Sequence, residues 1–204
     1  MVLCLAIVML ATTIAIGLYF VLERGLLLLP IGMLGVLIVL TYTPWLNRHP
    51  ILCLVAPGTG FGPLMVIGTQ VALTGEYTTS AFLASLVPFF LANNLLLLNQ
   101  YPDIAADKGV GRRHVPIAYG LGFSSFLYGV FAASAIIVIL GSVWSGVLPK
   151  ASYFALAPMV LAAVVLYGAM EHAKSTLKLV PYMAMNVVVA ILTPVILAAS
   201  MLLG

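Results

Sequence analysis

Charged side chains are scarce in this chain of 204 residues: Asp, Glu, Lys and Arg together make up 6% of it. A soluble domain carries about 25%. Hydrophobic residues make up 64%, against roughly 45–50% in a soluble domain. That much apolar surface has no room in one core, which excludes a soluble domain and leaves an integral membrane protein. The formal net charge of +3 is too small to imply a nucleic-acid partner. Cysteine is nearly absent as well. Cys4 and Cys53 have no second cysteine, histidine or carboxylate at ligand spacing, which excludes a zinc site. Both read as small buried hydrophobes. The apolar runs also lack the polar–apolar alternation of transmembrane β-strands. No basic region precedes the first run, so the stretch from Met1 reads as a mature helix and not as a cleavable signal.

What is present is a series of continuous runs rich in Leu, Ala, Ile and Val. A spanning helix needs about 20 mostly apolar residues. Seven segments meet that, at 2–22, 25–44, 52–74, 79–99, 116–140, 152–170 and 180–203. The expected fold class is all-α, a multi-span transmembrane helix bundle forming one domain over 1–204. Polar turns separate the runs: Glu23-Arg24-Gly25, the stretch from Pro44 to Pro50, Gly75-Glu76, Gly141 to Lys150, and Glu171 to Lys178. Pro181 suits a first helical turn. The second, fourth and sixth loops hold Arg48, Lys108, Arg112, Arg113, Lys174 and Lys178, six of the eight basic residues. Short cytoplasmic loops keep an excess of Lys and Arg, so these loops are expected on the cytoplasmic side.

The third run contains PGTGFGP, with Gly58, Gly60 and Gly62. A dinucleotide fingerprint needs a preceding strand and a βαβ unit, and neither fits here. The glycines read as close helix contacts, with a broken helix end beside a ligand as the alternative.

The stretch NNLLLLNQYPDIAADKGVGRRH, Asn93 to His114, concentrates the charge. It holds the only two aspartates, Asp103 and Asp107, and three of the eight basic residues. Asn99, Asp103 and Asp107 are four apart, so a continuous helix would place them on one stripe. Pro102 bends or restarts any such helix just before Asp103. Two carboxylates on one stripe suit Mg²⁺, which is commonly held by one or two carboxylates plus substrate phosphates. Lys108, Arg112 and Arg113 can take phosphate oxygens, and Gly109 and Gly111 let the basic loop fold back over a ligand. On charge alone, aspartates that merely balance basic loop residues are an equal reading. His114 reads as an interfacial residue. Asn93 and Asn94 read as hydrogen-bonding a neighbouring helix, with a polar pocket as the alternative.

NNLLLLNQYPDIAADKGVGRRHVPIAYG resembles the second aspartate-rich motif of the UbiA superfamily of intramembrane prenyltransferases, and is closest to the branch that prenylates dihydroxynaphthoate in menaquinone synthesis. Asn99, Asp103 and Asp107 match its N-x-x-x-D-x-x-x-D pattern. YTPW at Tyr42 to Trp45 is a weaker match, to a Tyr-plus-proline span end. GTGF at Gly58 to Phe61 is similar to a glycine pair that many relatives follow with an acid, which Phe61 is not.

The resemblance implies Mg²⁺-dependent transfer of a polyprenyl group from polyprenyl diphosphate to a small aromatic or quinone-precursor acceptor. Asp103 and Asp107 would be the catalytic metal ligands, and Asn99, Lys108, Arg112 and Arg113 would bind substrate. It also implies residence in a bacterial or archaeal cytoplasmic membrane, in contact with membrane lipid. Members usually have nine spans and a first aspartate-rich motif between spans two and three. With seven spans, the chain is expected to correspond to the family from its third span on, without that first motif. An impaired relative that binds isoprenoid diphosphate or a partner protein is therefore the alternative. Tyr101, Tyr119 and Tyr182 read chiefly as interfacial anchors.

Overall fold

Backbone groups in lipid must satisfy one another, so a continuous apolar run closes its own hydrogen bonds as a helix. The computed structural model describes residues 1–203, and among them every regular element is helical. Helix α1 covers Val2–Arg24 and α2 Leu28–Tyr42. Helices α3 (Pro50–Thr59) and α4 (Met65–Thr74) form one span, joined through a π-helical turn at Gly60–Leu64. Next come α5 (Thr79–Asn99), the short α6 (Ile104–Gly109) and α7 (Val115–Trp144). A 3₁₀ segment, Lys150–Leu156, leads into α8 (Met159–Glu171), and α9 covers Thr176–Leu203.

Six of these segments are long and apolar enough to cross a membrane. Helix α2, with 15 residues, is the exception: at 1.5 Å per residue it reaches only about 22 Å. It starts at Leu28, three residues into the apolar run, and ends at Tyr42, just before the turn at Pro44-Trp45. A further difference from the sequence reading concerns Pro181. Helix α9 starts at Thr176, so Pro181 lies inside it and not in its first turn. The π-helical turn surrounds Pro63, whose missing N–H leaves a gap in the regular ladder that the wider turn absorbs.

The bundle is built around α5, which packs against α3, α7 and α9. Two of the three glycines in the third span make that approach possible. A Cβ on Gly58 would collide with Phe89 O and the Asn93 side chain, and one on Gly62 would lie 2.8 Å from Phe89 Cβ. Gly60 faces open space. Polar side chains then tie the helices together in the buried interior. Gly58 N–H donates to Asn93 Oδ1 at 2.8 Å, and Asn94 Nδ2 donates to Tyr128 O at 3.0 Å. Tyr128 OH donates to Asn186 Oδ1 at 2.9 Å, and Asn186 Nδ2 donates to Asn94 O at 3.2 Å. Asn93 and Asn94 thus act as helix-to-helix bonds, the first of the two readings their sequence position allowed.

Helix α1 has no buried residue. Cys53 is buried as expected, but Cys4 on α1 is exposed, which corrects the reading of both cysteines as interior. Hydropathy is blind to this difference, because a side chain facing lipid and one facing a core have the same character.

Loop contacts sort the two ends of the bundle. Tyr77 OH donates to Leu27 O at 2.8 Å, joining the first and third loops. At the other end Arg113 N–H donates to Asn47 O at 3.0 Å, joining the second and fourth. Tyr101 OH lies 3.0 Å from Ser125 Oγ, which donates to Ala169 O near the sixth. The loops carrying Arg48, Lys108, Arg112, Arg113, Lys174 and Lys178 therefore gather at one end.

Candidate functional site

Helix α5 ends at Asn99, and the chain turns through Gln100, Tyr101 and Pro102 before α6 restarts at Ile104 with Asp103 as its N-cap. Pro102 breaks the helix where the sequence implied it would. The continuous helix that would carry the stripe is interrupted there: Asn99 is exposed at the end of α5, and the two aspartates belong to α6 and its cap. Asp103 and Asp107 remain one helical turn apart, because Asp107 N–H donates to Asp103 O at 2.8 Å. The Asp103 side chain is exposed and makes no capping bond. That of Asp107 is largely enclosed, at 14% exposure.

The basic residues arrive by a turn that glycine makes available. Gly111 adopts φ 77°, a left-handed conformation that other residues rarely take. The chain then doubles back, so that Arg112 N–H donates to Asp107 O at 3.0 Å. The Arg112 side chain follows, and its Nη1 donates to Asp107 Oδ1 at 3.0 Å. Lys108 and Arg113 are exposed. The structure thus brings Asp103, Asp107, Lys108, Arg112 and Arg113 into one loop, and leaves Asn99 at its edge.

Two residues of this region differ from their sequence reading. His114 is not interfacial: its side chain is only 2% exposed, and Nε2 lies 3.2 Å from Asp107 Oδ2. The approach is off the line of a good hydrogen bond, and neither ring nitrogen has another partner. Burial pushes the imidazole below its ordinary pKa, and the Asp107 carboxylate opposes this without cancelling it. Tyr101 is not an interfacial anchor either. It is buried against Ser125, whereas Tyr119 is exposed and Tyr182 packs over Gly168 and His172. A lone histidine after two arginines carries no periodic signal that would have shown its burial.

Beneath the loop is a second polar group. Gln100 Nε2 lies 3.8 Å from Cys53 Sγ, and Tyr42 OH lies 3.7 Å from the same sulfur. Gln100 Oε1 is buried without a partner. An apolar recess of about 300 Å³ begins at Tyr42 and is walled by Ile38, Pro57, Phe61 and Met65. The larger groove, of about 850 Å³, lies between α7 and α8. It is lined by Leu121, Phe126, Val130 and Leu166, opens at Glu171 and Lys174, and does not include either aspartate. The site is therefore marked by its charges and not by this larger groove.

Whether Mg²⁺ suits these residues depends on the donor set. The site offers hard oxygen ligands from two carboxylates, and among the described residues no group of three or more His, Cys, Asp or Glu side chains could hold a metal. Two carboxylates are too few to enclose the ion, but they are a sufficient protein share when phosphate oxygens and water complete the octahedron. The residues fit Mg²⁺ carried on a diphosphate.

The model of the UbiA prenyltransferase family matches residues 2–188. The chain belongs to this family. The UbiA match spans every helix described above except the last turns of α9. It is a family of membrane prenyltransferases that generally use Mg²⁺ to bind prenyl diphosphate, in keeping with the helical bundle and the acidic and basic loop. No curated protein and no solved structure matches the chain.

Proposed function

We propose that the loop from Asp103 to His114 binds the diphosphate of a polyprenyl donor through Mg²⁺, so that the prenyl group is transferred to a small aromatic or quinone-precursor acceptor. The observation that carries this is the loop's arrangement: two carboxylates one turn apart, with Arg112 brought back onto Asp107 after the Gly111 turn and Lys108 and Arg113 exposed in the same loop. Asp103 and Asp107 would hold the ion, and Lys108, Arg112 and Arg113 the phosphate oxygens. Asn99, at the edge of the loop, would reach the same ligand from the end of α5. Mg²⁺ bound there supplies charge withdrawal from the leaving diphosphate.

The protein's own contribution is electrostatic and positional. Arginine forks and the lysine hold the diphosphate as it departs with the electron pair of the allylic C–O bond. An aromatic carbon of the acceptor then forms the new C–C bond and gives up its proton. The apolar recess beginning at Tyr42 offers space to the isoprenoid chain near the loop. The gathering of basic loops at one end supports placing that end in the cytoplasm of a bacterial or archaeal cell. A menaquinone-type acceptor rests on the likeness of the motif.

A second reading has its own observation. Only one carboxylate pair is present at the site, and no cluster of three metal-binding side chains occurs among the described residues. A site of that kind suits binding of isoprenoid diphosphate, or of a partner protein, better than rapid turnover.

The test is Asp103→Asn and Asp107→Asn in the membrane-inserted protein. Each should abolish Mg²⁺-dependent binding of a prenyl diphosphate while leaving the amount of protein in the membrane unchanged. Unaltered binding in both variants would remove the assignment.

A further inference from the structure

The two oxygens of Asp107 face very different partners. Oδ1 meets Arg112 Nη1 at 3.0 Å, and the arginine side chain is 50% exposed. Oδ2 meets His114 Nε2 at 3.2 Å, and the imidazole is 2% exposed. Arg112 stands on a long stem at the surface, and that grip can be released at small cost, since an exposed ion pair contributes little. His114 has no such freedom. Arg113 N–H is bonded to Asn47 O, Val115 and Pro116 are buried, and α7 starts at once. The ring is fixed to the bundle on both sides along the chain.

From this asymmetry we infer that His114 is a positioning residue: it steadies Asp107 through Oδ2, so that Oδ1 can pass from Arg112 to the metal while Arg112 turns to the diphosphate. The role follows from chemistry that carboxylate ligands share. A carboxylate that binds a metal through one oxygen keeps its direction only if the other is hydrogen-bonded, and removing such an outer partner typically lowers metal affinity about 10–100-fold. His114 is buried beside Asp107, neither of its ring nitrogens has a well-formed hydrogen bond, and Oδ2 is the carboxylate atom that Nε2 approaches, at 3.2 Å. Facing Nε2–H toward the carboxylate is therefore the tautomer its surroundings favour. The inference rests on the reading of Asp107 as a metal ligand given above.

The experiment uses the full chain in detergent or nanodiscs, with a non-reactive prenyl thiodiphosphate as probe. It measures the Mg²⁺ concentration at which probe binding is half-maximal. His114→Leu should raise that concentration about tenfold or more, whereas His114→Gln, whose amide nitrogen can reach the place of Nε2, should stay within about threefold of the parent. His114→Asn, whose shorter amide reaches only the place of Nδ1, should behave as Leu does. If the leucine variant does not fold, the Gln–Asn comparison decides alone. A histidine that merely fills space would lower the folded fraction without moving the Mg²⁺ midpoint. A midpoint unmoved by Leu or Asn, or moved equally by Gln, overturns the inference. Asp107→Asn separates the two levels: if it leaves Mg²⁺-dependent binding intact, the metal-ligand reading fails; if it abolishes binding while the His114 variants do nothing, only the positioning role fails.

Discussion

The Arg112 guanidinium donates to the Asp107 carboxylate at 3.0 Å across five positions of chain. A helix would carry residue 112 away from 107, and the contact exists because Gly111 takes φ 77° and turns the backbone back on itself. The pairing neutralises a carboxylate that is otherwise enclosed. It also places a cation within the loop proposed to bind diphosphate.

Arg112→Gln should therefore separate stability from binding. Half of the arginine side chain is exposed, so the ion pair adds less than about 1 kcal/mol to the fold. Binding of prenyl diphosphate should fall about tenfold or more, the worth of one charge-assisted hydrogen bond to phosphate. Thermal unfolding in detergent and probe binding, measured on the same preparation, check both parts. A large loss of stability with binding retained would assign Arg112 to the scaffold.

The glycines of the third span give a sharper steric contrast. Gly58→Ala and Gly62→Ala force a methyl group into the backbone and side chains of α5, and each should cost roughly 1–3 kcal/mol. Gly60→Ala meets nothing within 4 Å and should be tolerated. Unfolding midpoints of the three variants test this. Equal effects at all three positions would mean that backbone freedom, and not close approach to α5, explains the glycines.

Tyr128 and Asn186 test the buried polar ties. Tyr128→Phe removes one hydrogen bond to Asn186 Oδ1, whereas Asn186→Leu removes that bond and the one donated to Asn94 O. In membrane bundles such bonds average about 0.6 kcal/mol and reach about 1.7. The phenylalanine variant should lie in that range and the leucine variant should lose more. Denaturant unfolding in mixed micelles gives the comparison. A leucine variant as stable as the parent would show that packing alone holds α5, α7 and α9 together.

These residues also show what the sequence could and could not express. Long apolar runs declare helices in lipid because backbone satisfaction leaves no other choice, so the spans were legible to within a few residues. Pro102 announced the break before Asp103, and Gly111 the return of the basic loop, since each constrains the backbone locally. The shortness of α2 was not legible, because Gly25 to Leu27 belong to the same apolar run yet form the turn before Leu28. The end of α5 at Asn99 depends on how far Pro102 interrupts the helix, which spacing does not encode. The burial of His114 and Tyr101 arises from tertiary packing against Asp107 and Ser125. An isolated polar residue at a span end has the same sequence signature whether it faces the bilayer surface or the interior. The exposure of Cys4 has the same origin.

The central claim is that the acidic pair holds a divalent ion that in turn holds a diphosphate. Its most direct test is equilibrium binding of a prenyl thiodiphosphate to the purified chain, with Mg²⁺ and again after chelation. Saturable binding that needs Mg²⁺ and is lost when the ion is removed is the predicted result. Binding of equal strength with and without the ion would contradict it, because the basic residues would then be acting alone.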